Sequence, residues 1–195
     1  EGVSSSSLNE IFWPDKEEDK AKNLKGVTIS NLRKTLLELD GIRLVYDKGV
    51  FKIEIEDAIC FCDYFNLHIH LATHPQSCEY FLPIWERGKL LENIEHSLFD
   101  KYKQRSEDTI LSLLPKDLPV YYQHNEYRYV LRICFIILNR DPLNEKALMY
   151  SVRCYKKMND FENLSKIYSA FIIEYRKSMG EDYTQTIEDL LLEES

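Results

Sequence analysis

The sequence predicts a mainly α-helical protein that carries one small β-hairpin. Apolar residues recur at helical spacing before residue 40, and again from Phe81 almost to the end of the chain. Strict alternation of apolar and polar residues is limited to residues 42–55. Only six glycines and six prolines occur in 195 residues, which favours helices over a β architecture rich in turns.

The first predicted element is a short helix that begins at a capping box. In Ser7-Leu-Asn-Glu10 the Ser7 hydroxyl can accept the amide of Glu10, while the Glu10 carboxylate reaches back to the amide of Ser7. Pro14 is expected to end this helix because a proline inside a helix removes a hydrogen bond and clashes with the preceding turn.

A second, longer helix is predicted from Glu17 to Leu39. Gly26 in its middle should weaken it by about 1 kcal/mol relative to alanine, and Gly41 is the expected C-terminal stop. One face is apolar and is expected to pack inward: Ala21, Leu24, Ile29, Leu32, Leu36 and Leu39. The opposite face is mostly polar and basic: Lys20, Asn23, Val27, Ser30, Asn31 and Lys34.

Residues 42–55 have the pattern of a two-stranded hairpin. Ile42, Leu44 and Tyr46 share one face of the first strand, and Phe51, Ile53 and Ile55 share one face of the second. The turn Asp47-Lys48-Gly49 places Lys48 at a charged tip. Because an isolated hairpin is marginally stable in water, we expect this one to pack on the helices.

The rest of the chain predicts a bundle of helices with an internal repeat. Residues 125–133 align with residues 159–167 at an offset of 34, which is the period of the tetratricopeptide helix hairpin. Asn159 lies where that repeat has a glycine in a left-handed conformation, which asparagine tolerates well. The predicted helices cover residues 90–102, 110–114 (closed by Pro115), 121–138, 144–157, 161–177 and 184–192.

Composition and charge narrow the possible functions. The longest apolar run, Ile133 to Leu138, is far too short to cross a membrane, so we expect no membrane contact from this segment. Five cysteines, an odd number, favour reduced thiols and a cytoplasmic location. A net charge of −8 argues against nucleic-acid binding over the whole surface, but it permits one local basic patch. Because the chain opens on Glu1 and not on Met, we expect it to be a piece of a longer protein.

A group of histidines and cysteines has the ligand types of a zinc site. It consists of Cys60, Cys62, Asp63, His68, His70, His74 and Cys78. The spacing fits no standard zinc frame, and Ile69 and Leu71 between the histidines indicate a packed edge, so we predict no metal. The sequence also has no phosphate-binding glycine loop, no paired-carboxylate motif and no group that would orient a thiol nucleophile. We therefore predict no enzyme activity and no cofactor.

Three motifs, taken in order, resemble a known family. Asn31-Leu-Arg-Lys34 matches the Leu-Arg-Lys signature of response-regulator-type winged helices, and Ile11-Phe-Trp-Pro14 is similar to the end of their preceding helix. Residues 139–147, Asn-Arg-Asp-Pro-Leu-Asn-Glu-Lys-Ala, resemble the Asp-Pro-Leu-x-Glu-x-Ala signature of the bacterial transcriptional activator domain. The family is that of the antibiotic-regulatory-protein-type activators. The resemblance implies the C-terminal part of a winged-helix DNA-binding domain at residues 1–56, followed by a tetratricopeptide-like helical domain at residues 57–195.

The resemblance implies that the full-length protein binds double-stranded DNA as a transcription regulator. Asn23, Ser30 and Asn31 would then read base edges in the major groove. Lys20 and Lys34 would hold phosphates, and Lys48 at the wing tip would touch the backbone.

Two less specific interpretations remain open. In the first, the basic face of the helix at residues 17–39 is an ordinary solvated surface that binds nothing. In the second, the protein is a tetratricopeptide-like adaptor that binds only proteins. In either case the helical domain is expected to contact a protein partner or a second copy, with most aromatic side chains filling its core and some lining a groove.

Overall fold

The computed structural model describes residues 2–56, 63–64, 67 and 79–192 and divides the chain into two compact units, residues 1–66 and 67–195. The first unit contains strand β1 (Val3–Ser4), helices α1 (Ser5–Phe12) and α2 (Glu18–Leu36), and strands β2 (Ile42–Asp47) and β3 (Val50–Ile55). The second contains a 3-10 turn (Glu79–Phe81) and helices α3 (Leu82–Trp85), α4 (Ser97–Gln123), α5 (Tyr127–Arg140), α6 (Glu145–Lys157), α7 (Phe161–Met179) and α8 (Ile187–Leu191). The prediction of a mainly helical chain with a small β element is confirmed.

Strands β2 and β3 form the predicted antiparallel hairpin. Tyr46 pairs with Phe51 and Asp47 pairs with Val50, so the loop contains only Lys48 and Gly49. These two residues have φ values of 48° and 84°. Positive φ at both loop positions matches the right-handed twist of the strands, and it places Lys48 at the tip.

A third strand, β1, was not predicted. It pairs with β3 on the side away from β2, with Val3 opposite Phe51, and the strand order is β1-β3-β2. Gly2 lies so close to β3 that a Cβ atom there would stand 2.4 Å from Cγ1 of Val50. Two paired residues are too few for alternation to be visible in a sequence, so only the folded sheet identifies this strand.

Helix α1 begins earlier than predicted, and its cap is Ser4 instead of Ser7. The Ser4 Oγ accepts the amide of Ser7 at 3.0 Å. Serines at 4, 5, 6 and 7 are all chemically able to cap, and the pairing of Ser4 with β3 holds that residue in the extended conformation that a cap requires. The helix ends at Phe12, before Pro14, as predicted.

Helix α2 buries less of its apolar face than predicted. Ala21 is 2% exposed, but Leu24 is 41% exposed and Leu32 is 37% exposed. Within this unit α2 packs on α1 and β2, and these short elements cover one edge of its apolar arc, where Ile29 and Leu36 are half-buried. The helix also stops at Leu36, so Gly41 (φ 78°) belongs to the turn before β2 and is not the helix stop.

Replacing Gly26 with alanine is expected to stabilise α2 by about 1 kcal/mol, because Gly26 is exposed in the helix and an added Cβ would meet nothing within 4 Å. The measurement is urea unfolding followed by the helical circular dichroism signal. The signal of the variant should be lost at a higher urea concentration than that of the unmodified protein. The same substitution at Gly180, whose φ is 75°, serves as the control and should be destabilising. Equal effects at the two positions would contradict the helical role of Gly26.

The second unit contains two consecutive helix hairpins that share one turn geometry. Asn125 joins α4 to α5 with φ 61°, and Asn159 joins α6 to α7 with φ 57°. In each turn the next amide reaches back five residues: Glu126 N–H donates to the Tyr121 carbonyl and Asp160 N–H to the Tyr155 carbonyl, both at 2.9 Å. The predicted left-handed conformation of Asn159 is confirmed, and the 34-residue offset between the two asparagines also relates these hydrogen bonds.

Helix α4 passes through Pro115, where the sequence predicted an end. It runs from Ser97 to Gln123 and includes Pro119 as well, while the next helix begins at Tyr127 and not at Tyr121. A proline inside a helix costs about 3 kcal/mol or more. The cost is offset by a stripe of side chains that are at most 1% exposed and pack into the core: Ile110, Leu114 and Leu118.

The second unit has a dense core and one deeply buried cation. Most of its fully buried side chains come from α3 to α6: Leu82, Ile110, Leu114, Leu118, Val130, Ile133, Ile136, Ile137, Leu148 and Val152. The Arg140 side chain is only 2% exposed, and its Nε lies 3.4 Å from Oε2 of Glu107 on α4. Its Nη2 donates to the carbonyls of Trp85 and Gly88 at 3.1 and 2.9 Å, so Arg140 ties α5 to the segment around α3.

Candidate nucleic-acid interface

The six predicted DNA-binding side chains are all exposed. Five lie on α2 and one at the hairpin tip: Lys20, Asn23, Ser30, Asn31, Lys34 and Lys48. The first five share the outer face of α2, which is defined here by these residues together with Val27. Lys20 Nζ lies 3.5 Å from Oε2 of Glu17, with both side chains at least 70% exposed, and such a pair contributes little. Whether this surface binds DNA stays a prediction.

A second basic surface lies on the side of α2 that faces the hairpin. It is a groove of about 470 Å³ between α2 and the residues Tyr46 and Phe51. The α2 side chains that line it follow helical spacing: Lys22, Lys25, Gly26, Ile29, Ser30, Arg33, Lys34 and Leu37. We call it the α2–hairpin groove. Lys22, Lys25 and Arg33 were not among the predicted DNA-binding residues, although their helical spacing places them on one stripe of α2.

The cationic side chains of the groove differ in burial and in hydrogen bonding. Lys25 is half-buried, and its Nζ donates to Oγ of Ser5 at 2.5 Å and to the Ser5 carbonyl at 3.2 Å. It therefore fixes α2 to the start of α1. Lys22, Arg33 and Lys34 are exposed and make no ion pair among the described residues. Since the groove lining includes no carboxylate, the lining residues carry a net positive charge.

The histidines and cysteines with the ligand types of a zinc site lie in a part of the chain that the structure does not describe. Cys60, Cys62, His68, His70, His74 and Cys78 lie outside the described residues, and Asp63 is half-buried. In the described ranges no group of three His, Cys, Asp or Glu side chains is arranged to hold a metal ion.

Two cysteines among the described residues of the helical unit are free and buried. Cys134 and Cys154 are at most 1% exposed. Burial raises the pKa of each thiol to about 12, which keeps both protonated and unreactive. Both side chains pack in the core and are not part of the candidate interface.

The same unit contains two carboxyl groups whose pKa values move in opposite directions. Arg132 donates from Nε to Oε1 of Glu86 at 2.6 Å and from Nη2 to Oε2 at 2.9 Å, and these bonds lower the pKa of Glu86. Burial raises the pKa of Asp117. Oδ2 of Asp117 is buried and has no hydrogen-bond partner among the described residues.

Stability is expected to respond to pH with opposite signs at these two carboxyls. Glu86 stabilises the fold above its unfolded pKa and loses that contribution as pH falls through its folded pKa, so Glu86→Gln should cost about 1 kcal/mol near neutral pH and less in acid. Asp117 stabilises only below its unfolded pKa and loses that contribution as pH rises through its folded pKa, so Asp117→Asn should raise stability near neutral pH. Urea unfolding of both variants at several pH values is the measurement. Parallel pH dependence of the two variants would contradict these assignments.

In the part of the chain that the structure describes, every helix is too short or too polar to cross a membrane. No family model matches the sequence, and no curated protein matches it.

Proposed function

We propose that this protein is a DNA-binding transcription regulator that contacts duplex DNA through the outer face of α2. The observation that carries the proposal is the composition and exposure of that face. It combines two cations, Lys20 and Lys34, with three exposed hydrogen-bonding side chains, Asn23, Ser30 and Asn31. Residues 20–37 contain no carboxylate at all, although the chain has a net charge of −8.

The dimensions of α2 suit the major groove. A helix of 19 residues is about 28 Å long, and the major groove of B-form DNA, about 12 Å wide, admits one helix. Asn23 and Asn31 are side chains that can make paired hydrogen bonds to adenine, while Lys20 and Lys34 would position the helix on phosphates.

The order of elements supports the same proposal. A helix pair, α1 and α2, is followed directly by a hairpin, which is the arrangement that the resemblance to a winged helix implies. Lys48 at the hairpin tip is exposed and would touch the backbone beside the groove. Its neighbour Asp47 weakens the local positive charge, so we assign Lys48 a smaller share of the binding than Lys20 or Lys34.

The helical unit favours a second activity, binding of a protein partner or a second copy. Its two helix hairpins, α4–α5 and α6–α7, repeat the same asparagine turn at an offset of 34 residues. Helix repeats of this period commonly present a binding surface. If this were the sole activity, the protein would be an adaptor and the basic face of α2 would be incidental.

The salt dependence of DNA binding distinguishes the two functions. The probe is a fluorescein-labelled pool of random duplexes of about 25 base pairs, titrated with the full chain and followed by fluorescence anisotropy. Three lysine–phosphate contacts predict a slope of log affinity against log salt of about −2.7 between about 50 and 200 mM. An adaptor would leave the anisotropy unchanged at every salt concentration, and that result would overturn the proposal.

A further inference from the structure

We propose that the α2–hairpin groove binds a single strand of nucleic acid. Phosphates would lie on Lys22, Arg33 and Lys34, and one base would stack on Tyr46. This inference concerns a different ligand from the duplex proposal. The groove shares Ser30 and Lys34 with the outer face of α2, and its other lining residues lie outside that face.

Charge complementarity selects an anionic ligand. Four of the ten lining residues are cationic and none is acidic. Lys25 is engaged with Ser5, which leaves three exposed cations whose charges have no counterion among the described residues. Lys22 and Arg33 are three helical turns apart, about 16 Å along the axis, so the positive charge extends along the groove in the manner needed for a chain of phosphates.

The floor of the groove selects nucleic acid among anionic ligands. Tyr46 is 53% exposed, and its ring packs against Phe51 with ring centroids 4.5 Å apart. A phenol ring held from one side by a neighbour and open on the other is a platform for a planar base. Ile29 and the largely exposed Leu37 extend the apolar surface beside it.

The same geometry disfavours duplex DNA as the occupant. Bases in a duplex are paired and stacked on one another, so their faces are not available to Tyr46, whereas a single strand can present an unstacked base. A positive groove with an aromatic platform is the arrangement that single-strand-binding proteins use with little sequence preference. A peptide made of acidic residues alone would satisfy the cations but would leave Tyr46 and Leu37 without a complementary group.

The test uses the full chain and a fluorescein-labelled oligothymidine of about 15 nucleotides at low salt, followed by fluorescence anisotropy. Lys22→Glu with Arg33→Glu should weaken binding by about tenfold or more, and it should flatten the salt dependence. Tyr46→Ala should weaken binding by roughly 5- to 100-fold through loss of stacking, while Tyr46→Phe should stay within about threefold of the unmodified protein.

Three controls show whether a loss of binding is specific to the groove. Lys101→Glu with Lys116→Glu makes the same change in net charge on exposed positions of α4 and should leave binding unchanged. Circular dichroism of each variant checks that α2 remains helical. Tyr46→Phe retains an aromatic platform, so a loss caused by Tyr46→Ala alone identifies stacking and not the hydroxyl.

Three outcomes would overturn the proposal. They are absence of oligothymidine binding, equal binding by the groove variants and the unmodified protein, and competition by an oligoglutamate peptide as strong as that by unlabelled oligothymidine. The last would assign the groove to an acidic protein segment. Failure of the duplex proposal is distinguishable, because that proposal is measured with duplex probes. It also depends on Lys20, Asn23 and Asn31, which lie outside the groove, whereas Lys34 lines both surfaces.

Discussion

Replacing Lys20 and Lys34 with glutamate is expected to lower the affinity for duplex DNA by roughly 100- to 1,000-fold. A lysine beside a phosphate contributes about 1 kcal/mol in water, and charge reversal replaces that attraction with a repulsion of similar size. Two reversals therefore remove about 4 kcal/mol of binding free energy. The salt slope should also become shallower by about 2, because two phosphate contacts are lost.

The measurement is the duplex anisotropy titration, repeated for this double variant at each salt concentration. Lys101→Glu with Lys116→Glu on α4 is the matched control for net charge and should bind as the unmodified protein does. Asn23→Ala with Asn31→Ala is a complementary variant that should reduce sequence preference more than affinity for random duplexes. Unchanged affinity of the Lys20 and Lys34 variant would show that the outer face of α2 does not contact DNA.

Replacing Arg140 with leucine is expected to destabilise the helical unit by about 3–5 kcal/mol. Leucine fills part of the space, but it leaves the Trp85 and Gly88 carbonyls without their donor and leaves Glu107 without its cation. Burial lowers the pKa of Arg140, and Glu107 opposes that effect by favouring the charged guanidinium. The charged pair is therefore held inside a largely apolar region, where an uncompensated partner is costly.

Urea unfolding followed by circular dichroism gives the free energy of unfolding for this variant. Arg128→Leu, an exposed position on the same helix, is the control and should change stability by less than about 0.5 kcal/mol. The double variant with Glu107→Leu should be less destabilised than the sum of the two single variants, because it removes both charges. A loss below about 1 kcal/mol for Arg140→Leu would show that the carbonyls find other partners.

Structural elements that depend on interactions between residues close in sequence could be predicted from the sequence. The loop residues Lys48 and Gly49 determine a tight turn, and the alternation on both sides then determines which residues pair. The left-handed position at Asn159 could be predicted because an offset of 34 residues placed it at a known turn. In both cases the deciding interactions lie within a few residues of each other.

Elements governed by distant contacts were missed. β1 exists because Val3 pairs with Phe51, and Ser4 becomes a cap because the same pairing extends it. α4 continues through Pro115 because the buried stripe beside it packs on α5, and no local signal reports that packing. The groove beside α2 also depends on the hairpin, since Tyr46 and Phe51 form its floor.

By itself the sequence determined the helical class, the position of the hairpin in the chain and the basic character of α2, because these follow from short-range periodicity and from local charge. Tertiary structure alone decided that Ala21 is buried while Leu24 and Leu32 remain exposed. It also decided that Lys25 donates to Ser5 while Lys22 and Arg33 remain exposed. The physical reason is that burial depends on which elements meet in space. An α-helix offers its full circumference to neighbours, and periodicity identifies an apolar face without specifying how much of it the neighbours cover.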